Sequence, residues 1–140
     1  MHRKAVAIAV LGLGLWASAL DVAAQTPPAA PQLANPASQN CRQKGGALRL
    51  ERRPDGGQFG VCVFADNRQC DEWALFRGEC PAGGVHIAGY ATPAGRFCAI
   101  TGGRYAVVTG SGQAVEQGSC TLPGGKVCDA AAWWAGTCPR

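Results

Sequence analysis

The rhythm of apolar and polar positions changes along the chain, and each change marks a segment. Ala5 to Leu20 is a nearly continuous apolar run behind Arg3 and Lys4, and it ends at the small residues Val22-Ala23-Ala24. This is the pattern of an export leader over residues 1–24, cut after Ala24. Gly12, Gly14 and Ser18 interrupt the run, which is shorter than the ~20 residues of a bilayer span, so a stable membrane anchor is the weaker reading. Residues 25–34, QTPPAAPQLA, hold proline and alanine with too little apolar bulk to pack, and predict a disordered tether.

Beyond residue 34 the apolar positions fall into short segments rich in β-branched and aromatic side chains, separated by glycine-marked turns. First strands are predicted over Ala47 to Arg52 and Arg104 to Thr109. PDGG at 54–57 and GSG at 110–112 turn the chain into second strands, Gln58 to Phe64 and Ala114 to Leu122. Tight turns at Asp66-Asn67 and Gly124-Gly125 then lead to short third strands ending at Cys70 and Cys128. Asp71 is placed to cap a helix through Trp73 to Arg77, and Gly78 to stop it; Asp129 and Gly136 repeat the arrangement.

The recurrence is an internal repeat. Cys41, Cys62, Cys70 and Cys80 are spaced by 21, 8 and 10 residues, and Cys98, Cys120, Cys128 and Cys138 by 22, 8 and 10. Pro36-Ala37 matches Pro93-Ala94, Gly45-Gly46 matches Gly102-Gly103, and Gly60 matches Gly118. The chain therefore reads as two α+β units, 35–81 and 92–140, each a three-stranded antiparallel sheet with one short helix, joined by a linker over 82–91. Units of ~45 residues cannot bury enough apolar surface to fold on a core alone, so an even set of cysteines in an exported chain reads as disulfides. Metal binding fits worse, because no pair is spaced C-x-x-C and the only histidine after the leader is His86. Nothing implies a cofactor. Each unit is expected to close its own two bridges. A two-residue loop at Asp66-Asn67 would set Val63 opposite Cys70 and turn Cys62 and Cys70 to opposite faces, giving the expected pairs Cys41–Cys70, Cys62–Cys80, Cys98–Cys128 and Cys120–Cys138.

Charge and chemistry narrow the function classes. The formal net charge is +4, and Arg42, Lys44, Arg49, Arg52, Arg53, Arg68 and Arg77 are interleaved with Glu51, Asp55, Asp66, Asp71, Glu72 and Glu79. No single-sign block builds the field that a nucleic-acid backbone requires. Cysteine catalysis needs a free thiolate, serine chemistry needs a base, and His86 has no positioned partner near in sequence. Asp71, Glu72 and Glu79 leave a small glycoside hydrolase as the least favoured reading, since so small a unit has little room for two carboxyls across a cleft.

A non-enzymatic binding or structural module remains. The two copies agree where folding explains the residue and differ at Glu72, Trp73, Arg77 and Glu79, which become Ala130, Ala131, Ala135 and Thr137. Together with Phe76 these form the candidate binding surface, Trp73 and Arg77 lying one helical turn apart. Trp133 and Trp134 read as core. The expected partner is a protein or other envelope component, met in the periplasm or after secretion. The alternative is an inhibitor of an extracellular protease or glycosidase, presenting the rigid turns at Pro54 to Gly57 and Asp66 to Arg68.

The pattern NPAS, C, GG, GGQFGVC and DNRQCDEWALFRGEC resembles a bacterial domain of unknown function whose members are often labelled hemolysins. CDEWALFRGEC is its most recognisable segment, and residues 92 to 139 look like a second, divergent copy. The resemblance implies a small exported or lipid-anchored domain and carries no settled activity. A pore is not expected, because neither unit offers a long amphipathic helix or repeated membrane-length strands.

Overall fold

Two helices, not one, brace each three-stranded sheet. The computed structural model describes residues 34–140; the expected leader and all but the last residue of the expected tether lie outside the described residues. The first repeat runs α1 (Pro36–Gln43), β1 (Ala47–Arg52), β2 (Gln58–Val63), β3 (Gln69–Asp71) and α2 (Glu72–Phe76). The second runs α3 (Pro93–Ile100), β4 (Arg104–Thr109), β5 (Gln117–Thr121), β6 (Val127–Asp129) and α4 (Ala130–Trp134). Both sheets are antiparallel, in the order β1-β2-β3 and β4-β5-β6, and the fold is α+β. β5 begins three residues later than expected because Glu116 still turns, its N–H donating to Gln113 O at 3.0 Å.

The unexpected helices, α1 and α3, have start and stop signals in both copies. Asn35 Oδ1 accepts from Ala37 N–H at 2.9 Å and Thr92 Oγ1 from Gly95 N–H at 3.1 Å, with proline following each cap. The Gly-Gly pairs end them with two different jobs. Gly45 (φ +82°) and Gly102 (φ +83°) turn left-handed, and the N–H groups of Gly46 and Gly103 then donate to Cys41 O and Cys98 O at 3.0 and 2.8 Å. A side chain on Gly46 or Gly103 would strike the sulfur atoms of the disulfide beneath.

Those disulfides correct the expected pairing. The bonds are Cys41–Cys62, Cys70–Cys80, Cys98–Cys120 and Cys128–Cys138, so each repeat does close its own two and no thiol is free. The loop is longer than the two residues expected: a 3-10 turn over Ala65–Asn67 shifts the register, and Val63 pairs with Gln69 rather than Cys70. Cys62 and Cys70 therefore sit directly opposite each other on one face. Each reaches outward to its neighbour in sequence, Cys62 to the preceding helix and Cys70 to the segment after α2.

The two repeats share a core. Residues alternate across a strand, so the face of the first sheet turned away from Cys62 carries Phe59, Val61 and Val63, with Gln69 and Glu51 beside them. Val61 is buried in a cluster with Phe97 and Ile100 of α3, Leu122 and Trp133, and Phe59 and Val63 pack against it. Phe59 meets Phe97 edge-on at 5.2 Å and Trp134 at 5.8 Å between ring centroids. Arg96 of α3 pins the seam, its Nη1 and Nη2 donating to Glu51 at 2.8 and 2.9 Å and its Nε to Gln69 Oε1 at 2.9 Å. Residues 82–91 are drawn in as well: Val85 exchanges both backbone hydrogen bonds with Gln69, while His86 stays exposed.

Candidate functional site

Asp71 sets the geometry of α2. Its Oδ1 accepts from Trp73 N–H at 3.0 Å and Ala74 N–H at 2.8 Å. Burial pushes its carboxyl above the ordinary range, and the two amides and the Arg77 charge only partly offset this. The cap fixes the helix so that Ala74 and Leu75 enter the core of the first repeat while Trp73 and Phe76 stand outside, 41% and 48% exposed, their rings edge-on at 5.7 Å.

The five residues proposed from the sequence divide. Trp73, Phe76 and Arg77 lie on the surface together. Glu79 lies beside them, where its Oε2 accepts from Arg77 Nε and Nη2 at 3.0 and 2.8 Å and from Arg140 Nη1 at 3.1 Å. Hydrogen bonds from Arg77, with help from Arg140, hold the Glu79 carboxyl below its usual value despite burial. Glu72 is elsewhere, only 5% exposed, its Oε2 accepting from Ser38 Oγ at 2.5 Å and Oε1 from Asn35 Nδ2 at 3.0 Å. It ties α2 to the start of α1 and lies over Gly60, where any side chain would collide with it.

The second copy fills that place differently. The Tyr105 ring lies over Gly118 and against Gly95, and its hydroxyl donates to Glu116 Oε1 at 2.9 Å. Glu72 is thus replaced by Ala130 because a tyrosine from β4 occupies its volume, which accounts for that difference between the copies by packing. Trp133 is 8% exposed, with Nε1 donating to Thr101 Oγ1 at 3.0 Å, and Trp134 packs half-buried on Phe97 and Phe59.

A cleft of about 270 Å³ opens along the seam between the repeats. Trp73, Arg77, Arg53, Gln58 and Phe59 line it from the first repeat, and Trp133 and Arg140 from the second. Arg53 is held by Asp55 at 3.0 Å and Arg140 stacks over the Trp133 ring at 5.5 Å. Trp73 and Arg77 are among the residues proposed from the sequence, whereas Arg53, Gln58 and Arg140 are not. No local signal joins the end of β1 to the last residue of the chain; only the stacking of the repeats does. The exposed turn at Pro54 to Gly57 is braced from the same side, Gly57 N–H donating to Asp55 Oδ1 at 2.9 Å.

Two disulfide-stapled α+β units stacked through one shared core, with an aromatic pair left bare on a capped helix, define a tandem cross-linked scaffold. The chain belongs to the family described as Domain of unknown function (DUF333), whose pattern it matches twice, at residues 32–79 and 89–137. It is similar to Uncharacterized protein YoaF of Escherichia coli K12, 43% identical over 58 residues, which is 40% of this chain and 68% of that protein. YoaF of Shigella flexneri matches to the same extent. Uncharacterized protein YdbJ of Escherichia coli K12 is 37% identical over 41 residues, 29% of this chain and 47% of that protein. No solved structure matches the chain.

Proposed function

We propose that the chain is an exported, periplasmic or secreted, non-enzymatic binding module whose contact surface is the α2 face of the first repeat. One observation carries the reading. Phe76 and Trp134 occupy the same position in the two copies, and Trp134, with Phe97, docks the second repeat onto Phe59 of the first. In the first repeat, among the described residues, Phe76 and Trp73 are left exposed. Aromatic and arginine side chains dominate binding hot spots, and a stapled helix presents them at low entropic cost. The acidic side chains suggested for hydrolysis are already engaged, Asp71 as a cap, Glu72 between α1 and α2, and Glu79 between two arginines. The hemolysin label is no part of this reading: among the described residues the longest helices have eight residues, and none is long and apolar enough to cross a membrane. Inhibition of an extracellular hydrolase is the second reading, favoured by the braced turn at Pro54 to Gly57.

The test is capture from an envelope extract with the oxidised protein, comparing Phe76→Ala and Trp73→Ala with Val108→Ala, an exposed apolar control on the second repeat. A stoichiometric partner lost in both aromatic variants and kept in the control is expected. A partner retained by both aromatic variants removes the α2 face from consideration. Inhibition of a hydrolase that Asp55→Ala abolishes would favour the second reading instead.

A further inference from the structure

We propose that the seam cleft binds an acidic saccharide, a sugar ring that carries a carboxylate. The proposal deepens the reading of α2 as a contact surface, with which it shares Trp73 and Arg77. Its volume, about 270 Å³, lies near the lower end of the roughly 300–1,000 Å³ of small-molecule sites and suits a single sugar residue. Such sites form preferentially at seams between units, as this one does.

The lining has unspent donors of one kind. Arg77 commits Nε and Nη2 to Glu79, leaving Nη1 free, and Arg140 commits only Nη1 to the same carboxylate. Arg53 gives Nη2 to Asp55, while its Nε is buried and donates to nothing among the described residues. A buried donor without an acceptor costs free energy that an anionic ligand would recover. The only side-chain carboxylate among the lining residues is that of Asp71, whose Oδ1 is occupied by the two amides of the α2 cap. Planar guanidinium forks match the geometry of a carboxylate. Exposed Trp73 supplies an indole face for the apolar C–H surface of a sugar ring, and the exposed Gln58 amide can pair with hydroxyls. An extended peptide fits less well. β2, which contributes Gln58 and Phe59 to the lining, is the central strand of its sheet, so it has no free backbone edge for strand addition.

The experiment titrates the oxidised full chain with di- and tetrasaccharides of galacturonic acid, read by tryptophan fluorescence and calorimetry. Neutral cello-oligosaccharides and an N-acetyl dipeptide with a free carboxylate run in parallel. The expected result is saturable binding of the uronates, no binding of the neutral sugars, and a loss of about tenfold or more in Arg77→Gln and in Arg53→Gln. Arg42→Gln, on the exposed face of α1, should leave affinity unchanged, and unfolding curves confirm that each variant is folded. No uronate binding, or binding that neither cleft variant weakens, overturns the proposal, and equal affinity for the dipeptide overturns the saccharide assignment. Phe76-dependent capture of a partner without uronate binding defeats the cleft and leaves the α2 reading standing. Arg77-dependent uronate binding without such capture does the reverse.

Discussion

The two sheets have the same strand order and opposite surroundings. The outer face of the first, with Phe59, Val61 and Val63, is covered by α3 and α4; the matching positions of the second are Gln117, Ser119 and Thr121, which among the described residues belong to no hydrophobic core cluster. The outer faces of the helices show the complementary split. Phe97 and Ile100 of α3 are buried at the seam, while their counterparts on α1 are Asn40 and Gln43. Apolar residues thus occupy the two surfaces that meet, and polar ones stand at most of the equivalent positions away from the seam, exposed Phe76 being the exception. Repeat proteins carry apolar residues where units stack and polar ones where they do not, and each of these repeats meets the other on one side only. Identical folds can therefore carry different residues at equivalent positions for reasons of stacking alone.

The largest effects should come from breaking this division. Ile100→Ala is expected to cost about 2–5 kcal/mol in denaturant unfolding under non-reducing conditions, whereas Gln43→Ala at the equivalent place stays within about 0.5 kcal/mol. Val61→Ser should be severe and Ser119→Val nearly silent. Equal costs within either pair would mean that the seam is not what distinguishes the copies. Next in size is the buried carboxylate that only the first repeat has. Glu72→Ala strands the donors Ser38 Oγ and Asn35 Nδ2 and should cost about 1–3 kcal/mol by the same measurement, with the disulfides intact.

The smallest effect is a pH dependence of the seam. Burial pushes the Glu51 carboxyl up, but hydrogen bonds and charge from Arg96 and Arg49 outweigh it and leave it below the ordinary value of 4.5. The folded chain therefore holds this proton less tightly than the unfolded chain does. Its contribution is complete above about pH 4.5 and is lost as pH falls through the lowered folded value. Arg96→Gln should flatten the acid limb of stability in that window while barely altering its slope near neutrality. An unchanged limb would assign acid sensitivity to other carboxylates.

Much of the fold was legible because it is written locally. β1 and β4 have the limits that the β-branched runs and Gly-Gly pairs mark, and Asp71 and Gly78 delimit α2 as cap and stop. α1 escaped because Arg42, Gln43 and Lys44 give it no apolar stripe; its signal lay in Asn35-Pro36 at one end and Gly45-Gly46 at the other. The disulfide pairing was missed for a related reason, since without α1 nothing placed Cys41 beside Cys62. Trp73 and Arg77 entered the candidate surface because the copies differ there, and Phe76 because it is an aromatic beside them. Glu72 entered the same set because packing, like contact, can make two copies diverge. Arg53 and Arg140 are brought to the cleft by the stacking of the repeats, and no periodicity in the chain records that.

The order in which the cysteines pair has a consequence for biogenesis. Eight cysteines admit 105 full pairings, yet the native set joins each to an adjacent one along the chain: first to second, third to fourth, fifth to sixth, seventh to eighth. A chain threaded N-terminus first into an oxidising compartment would present every cysteine to its proper partner before a competitor emerged. An oxidase that simply joins thiols as they arrive would then make the correct protein, with no need of an enzyme that reshuffles them.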